Sequence, residues 1–148
     1  MLLGEYTLSL DDKGRLSVPA TLRRALRELY APQETALVVT RFFENCLVVY
    51  PQAEWLKIQQ QLLDLPNDPA VRAFTRQFCA SASPCVLDRQ GRLLVPPKLR
   101  QYAEIETEVV LIGIIHKLEI WSPRRWETYE AREEGRFNTN TRLMDLRL

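Results

Sequence analysis

Two short stretches carry the residues best suited to chemistry. Asp11-Asp12-Lys13-Gly14-Arg15 and Asp88-Arg89-Gln90-Gly91-Arg92 each hold an acid, a glycine three positions on, and an arginine directly after it. The aspartate can accept hydrogen bonds from nearby backbone amides, and the glycine can take the positive φ that a tight reversal requires. An arginine at the root of such a hairpin presents a planar fork of donors. That fork matches O6 and N7 of guanine in a major groove that admits a two-stranded ribbon. Lys13, a flexible point charge at the tip of the first turn, suits a phosphate.

Other chemistries have little to stand on. His116 is the only histidine, so any Ser-His-Asp or Cys-His arrangement would have to use it, and it falls in a turn between apolar strands. The five glycines form no phosphate loop or dinucleotide fingerprint. Cys46, Cys79 and Cys85 lack metal-ligand spacing and read as buried thiols. No catalytic residue, metal or cofactor is therefore expected. The longest apolar run, Val109 to Ile115, is too short to span a bilayer, which points to a cytoplasmic protein without a membrane partner.

A net charge of +1 argues against coating nucleic acid by bulk positive potential, so any such contact must be local. Residues 13 to 27 contain Lys13, Arg15, Arg23, Arg24 and Arg27 with no acid, whereas residues 104 to 119 carry four glutamates against Lys117. Should the chain contact nucleic acid, this count makes the first turn the principal surface, with Asp11, Lys13, Gly14, Arg15, Arg23 and Arg24 as its residues. Arg89 and Arg92 of the second turn are the weaker pair.

The two turns belong to a longer repeat. An offset of 77 superposes Leu10-Asp11 on Leu87-Asp88 and continues to Leu22-Arg23 on Leu99-Arg100, with nine identities in fourteen positions. Later segments recur too: Tyr50-Pro51 followed by Trp55 matches Trp121-Ser122-Pro123 followed by Trp126. Each copy predicts two strands, a short helix, then two more strands. Tyr6, Leu8 and Leu10 alternate as a strand should, and Leu16 and Val18 share a face that Arg15 and Ser17 leave, which sets Arg15 free in solvent. Leu22, Ala25, Leu26 and Leu29 have helical spacing behind Pro19. In the second copy, Gly113 and the His116-Lys117 pair are expected to break the strands.

Between the copies, Trp55, Ile58 and Leu62, and then Val71, Phe74 and Phe78, mark two amphipathic helices. A further helix is expected from Pro123 to about Glu134, ended by Gly135, and the tail beyond has no clear period. The chain thus divides into a first unit over 5–52, connecting helices over 53–80, a second unit over 81–124 and a C-terminal helix and tail over 125–148. One unit alone exposes strand edges and buries too little to be stable. Pairing two about a pseudo-twofold axis closes the sheet and joins their apolar faces.

With these residues in view, the chain resembles the MraZ family of bacterial transcriptional regulators, built from two AbrB-type swapped-hairpin units. The resemblance runs from "GEYTLSLDDKGRLSVP" through "CLVVYP" and "LDRQGRLLVP" to "LEIWSPRRW". It implies an α+β fold, a pseudo-twofold β-barrel with flanking helices. It also implies a nucleoid-associated, ring-shaped homo-oligomer that binds double-stranded DNA at direct repeats upstream of cell-division and cell-wall genes. The rival reading is an oligomerisation or protein-interaction module without DNA readout, for which Trp55, Trp126 and Tyr129 would supply the interface.

Overall fold

The computed structural model describes all 148 residues. In the first unit β1 (Leu2–Ser9) leads through the Gly14 turn into β2 (Arg15–Ser17), α1 (Ala20–Tyr30), β3 (Ala36–Arg41) and β4 (Leu47–Pro51). Helices α2 (Gln52–Leu63) and α3 (Pro69–Ala80) follow. The second unit repeats the order with β5 (Ser83–Val86), β6 (Arg92–Leu94), α4 (Pro97–Tyr102), β7 (Glu108–Ile115) and β8 (Lys117–Trp121). Helix α5 (Pro123–Glu133) comes next, and the tail adds a short α6 (Thr141–Met144), which its sequence period does not reveal.

Local rules place the helix starts. Asp68 caps α3 by accepting a 2.9 Å hydrogen bond from the Val71 amide, with Pro69 at the first helical position, where a missing N–H costs nothing. On α1, Leu22, Ala25 and Leu26 are buried while Arg24 and Arg27 are exposed, as a single apolar stripe requires.

Six strands form one antiparallel sheet in the order β1-β7-β8-β4-β3-β5, and β2 and β6 form a separate two-stranded ribbon. The order is swapped. Each unit's first strand pairs with the other unit's third, β1 with β7 and β5 with β3, and the fourth strands β4 and β8 meet in the middle. There Val48 faces Glu119, its equivalent in the repeat, so the pseudo-twofold axis passes between them. Matching hydrogen bonds lie about that axis: Leu10 N–H donates to Thr107 O at 2.7 Å and Leu87 N–H to Thr35 O at 3.0 Å.

This corrects the expected closed sheet: β1 and β5 are edges, and the ribbon is joined to the β1 end only through the single Leu10–Leu16 bridge. Gly113 also fails to break a strand. It sits inside β7 opposite Gly4, where a Cβ would come within 2.5 Å of the Leu3 backbone nitrogen, so glycine permits a close strand approach. The reversal instead falls at Ile115 and His116, with Ile115 at a φ of 62°.

The main core lies between the sheet and the ribbon with its two helices. Leu16 and Leu93 of the ribbon, Leu22 and Leu99 of the helices, and Val49, Leu111 and Ile120 of the sheet are all buried there. Fully burying such a side chain stabilises by about 1.5 to 3 kcal/mol. On the other sheet face, α2 and α3 cover Val48 and Tyr50, and α5 covers Val110 and Trp121. Trp55 lies 5.5 Å from Phe78, and Trp126 and Tyr129 each 5.1 Å from Trp121, so these aromatics pack within the chain. The thiols divide: Cys46 is buried and Cys85 half-buried, but Cys79 is exposed on α3, which corrects the reading of three buried thiols. Burial pushes the Cys85 thiol up to about 12. No helix is long and apolar enough to cross a membrane.

Candidate nucleic-acid interface

The first turn is built by its aspartate. Asp11 Oδ1 accepts from the backbone amides of Lys13 at 3.0 Å and Arg15 at 2.8 Å, and Oδ2 accepts from Arg15 Nε at 2.6 Å. Gly14, at a φ of 81°, donates its own N–H to Asp11 O at 3.0 Å. The second turn repeats this: Asp88 accepts from the Gln90 and Arg92 amides at 2.9 Å each and from Arg92 Nε at 2.7 Å, and Gly91 has a φ of 75°. Both carboxyls are held below their ordinary value of 3.8, first by the amide of the arginine four residues on and then by its side chain.

These contacts correct the expectation that Arg15 stands free in solvent. Its Nε is tied to Asp11, and its side chain is 28% exposed, as Arg92's is 27%. The hydrogen bond to Asp11 engages Nε and leaves both Nη atoms of Arg15 without a hydrogen-bond partner in the chain. It also turns the fork into a pre-oriented donor, because Asp11 fixes the plane. Asp11 itself, with both oxygens engaged, shapes the turn. Lys13 is exposed at the tip.

The antiparallel ribbon sets the two turns at its opposite ends, with their arginines near its middle. Arg15 pairs with Leu94 and Ser17 with Arg92, so the two arginine roots lie roughly 7 Å apart along the strands. Arg92 Nη1 comes within 3.9 Å of Asp11 Oδ2, across the unit boundary.

Each turn is closed by the opposite unit. Val18 N–H donates to Gly91 O and Val95 N–H to Gly14 O, both at 3.0 Å. Arg23, its Nε bonded to Val18 O at 3.1 Å, lies over Gly91 so closely that a Cβ there would sit 2.5 Å from Arg23 Cδ. Arg100 does the same for the first turn, with Nε on Val95 O at 3.0 Å and its Cζ 2.9 Å from a Cβ built at Gly14. The arginines that follow the first turn in sequence therefore surround the second. Arg23, Arg27 and Arg89 line one cleft with Glu34, Asp88 and Gly91, while in the other half a cleft behind Arg100 holds Arg124 with Glu104, Glu106 and Glu108 and does not reach the first turn. The swap thus gives the second turn, not the first, the arginines that follow the first turn in sequence. Arg24 is exposed on α1. Arg100 was the residue sequence reasoning passed over, although its identity with Arg23 in the repeat is the signal for it.

A swapped pair of hairpin units, each carrying an arginine-bearing turn on one ribbon, defines the class: a doubled α+β scaffold built from two copies of one unit. Comparison with known proteins agrees. The profile of the MraZ protein family, described as antitoxin-like, matches residues 1–77 and again 78–147. The chain is 42% identical over 138 residues to the transcriptional regulator MraZ of Desulforamulus reducens, covering 93% of this chain and 92% of that one. It is 45% identical over 130 residues to the transcriptional regulator MraZ of Moorella thermoacetica, covering 87% and 86%. The chain belongs to the MraZ family.

Proposed function

We propose that this protein is a sequence-specific DNA-binding transcriptional regulator, cytoplasmic and nucleoid-associated, rather than an enzyme. The observation that carries the reading is the ribbon with a turn at each end, each holding an aspartate-oriented guanidinium, in a chain whose relatives are named transcriptional regulators. Arg15 and Arg92 read guanine edges in the major groove, Lys13 and Arg89 meet phosphates, and Arg24 adds a cation from α1. Asp11 and Gly14 act by holding the turn. Arg23 acts where it lies, beside the second turn. The units over 5–52 and 81–124 form the swapped-hairpin body, whose open sheet and ribbon enclose the main core. The helices of 53–80 and the segment 125–148 flank it.

One protomer makes few contacts, so its binding alone is weak and salt-sensitive. A ring of protomers joined head to tail points successive ribbons the same way and suits direct repeats, here those upstream of cell-division and cell-wall genes. Electrophoretic shifts on the DNA upstream of this protein's own gene test the reading. Moving one repeat by half a helical turn should abolish cooperative binding, and Arg15→Ala should weaken it without altering oligomer size. Binding indifferent to repeat spacing would refute the ring geometry, and full affinity in both Arg15→Ala and Arg92→Ala would refute readout by the turns.

A further inference from the structure

We propose that the second turn, completed by Arg23 and Arg27 of the first unit, is a composite phosphate-binding site and the protein's main anchor on the duplex backbone; this rests on the DNA-binding reading above. The chain order hides the site because its cations come from segments more than sixty residues apart, Arg23 and Arg27 on α1 and Arg89 in the turn. The structure gathers them around one cleft of about 330 Å³. Arg23 is held there by Val18 O and by its packing over Gly91. Arg27, four residues on, continues the same helix face.

Charge decides between the two halves. The cleft beside the second turn has three arginines against Glu34 and Asp88, and Asp88 is consumed by two amides and by Arg92. At the equivalent positions the other half has Arg100 alone against Glu104, Glu106, Asp11 and Asp12. The reversal falls at equivalent positions of the repeat: Glu104 stands where Arg27 does, and Asp12 where Arg89 does. Glu104 is moreover bound through both oxygens to Arg125, at 2.8 and 3.1 Å, which uses a cation that the first half could otherwise offer. A backbone phosphate therefore meets net attraction in the second cleft and net repulsion in the first.

Fluorescence anisotropy of the full-length protein on a labelled duplex carrying its upstream repeats, over a series of salt concentrations, tests this. Arg27→Ala and Arg89→Ala should each reduce the slope of log affinity against log salt by about 1, as loss of one phosphate contact does. Arg124→Ala should leave it unchanged. Asp12→Arg combined with Glu104→Arg should steepen the slope and tighten binding by building the same cluster on the first turn. Unchanged slopes in Arg27→Ala and Arg89→Ala, with binding still lost in Arg92→Ala, would overturn the composite site and leave the DNA reading standing. A wild-type protein that retains no duplex even at low salt would overturn both.

Discussion

Around the two turns the backbone is the same and the charge is opposite. The aspartate-to-arginine bonds measure 2.6 and 2.7 Å, the glycine amides donate at 3.0 and 2.9 Å, and each glycine lies beneath an arginine from the other unit. Yet Asp12 stands against Arg89 and Glu104 against Arg27. Shape is carried by the residues the two copies share, Asp, Gly and the two arginines, because each closes a hydrogen bond or a close contact that the hairpin cannot form otherwise. Charge is carried by the residues that differ, which point into solvent and cost the fold little. A duplicated unit can thus keep one scaffold and divide the work of binding.

The largest effects of substitution are expected in the core. Leu16 and Leu93 face each other across the ribbon, both fully buried, so Leu16→Ala and Leu93→Ala should each cost about 3 to 5 kcal/mol in urea unfolding. Equal losses support the pseudo-twofold relation, and a cost confined to one of them breaks it. Gly14→Ala and Gly91→Ala come next. Each forces a side chain into the left-handed region, at about 1 to 2 kcal/mol, and the loss should be greater at Gly91, where the overlying arginine stands at 2.5 rather than 2.9 Å.

Much of this molecule could be read from its sequence, for a physical reason: the fold is a repeat, and periodicity survives wherever one face of an element is buried. Leu16 and Val18 against Arg15 and Ser17, and Leu22, Ala25 and Leu26 on α1, fall on the faces that alternation and helical spacing assign them. The turn aspartates and glycines were legible because their roles are local. The swap is legible only through the family resemblance, since strand pairing between units leaves no mark in either unit alone. It is why Arg23 was assigned to the turn it follows rather than the turn it covers. Gly113 was misjudged for a related reason: its role comes from β1, more than a hundred residues away.

Acid acts on both turns alike, with a smaller effect. Asp11 and Asp88 have folded values below the ordinary 3.8, so each contributes stability that is fully present above that value and is lost as pH falls through the lower folded one. Both turns should therefore hold through mildly acidic conditions and loosen together in strong acid. Asp11→Asn should flatten the acid limb of the stability profile in part, and Asp88→Asn should do so to the same degree. A limb unchanged by either would mean that the aspartates do not stabilise the turns.

Amide hydrogen exchange on the unliganded protein tests the crossed construction most directly, because the Gly14 and Gly91 amides are each hydrogen-bonded inside their own turn. Arg23→Ala should speed exchange at Gly91 and leave Gly14 protected, and Arg100→Ala should do the reverse. If each variant loosens the turn of its own unit, or both turns alike, the two hairpins are not held by each other and the account fails.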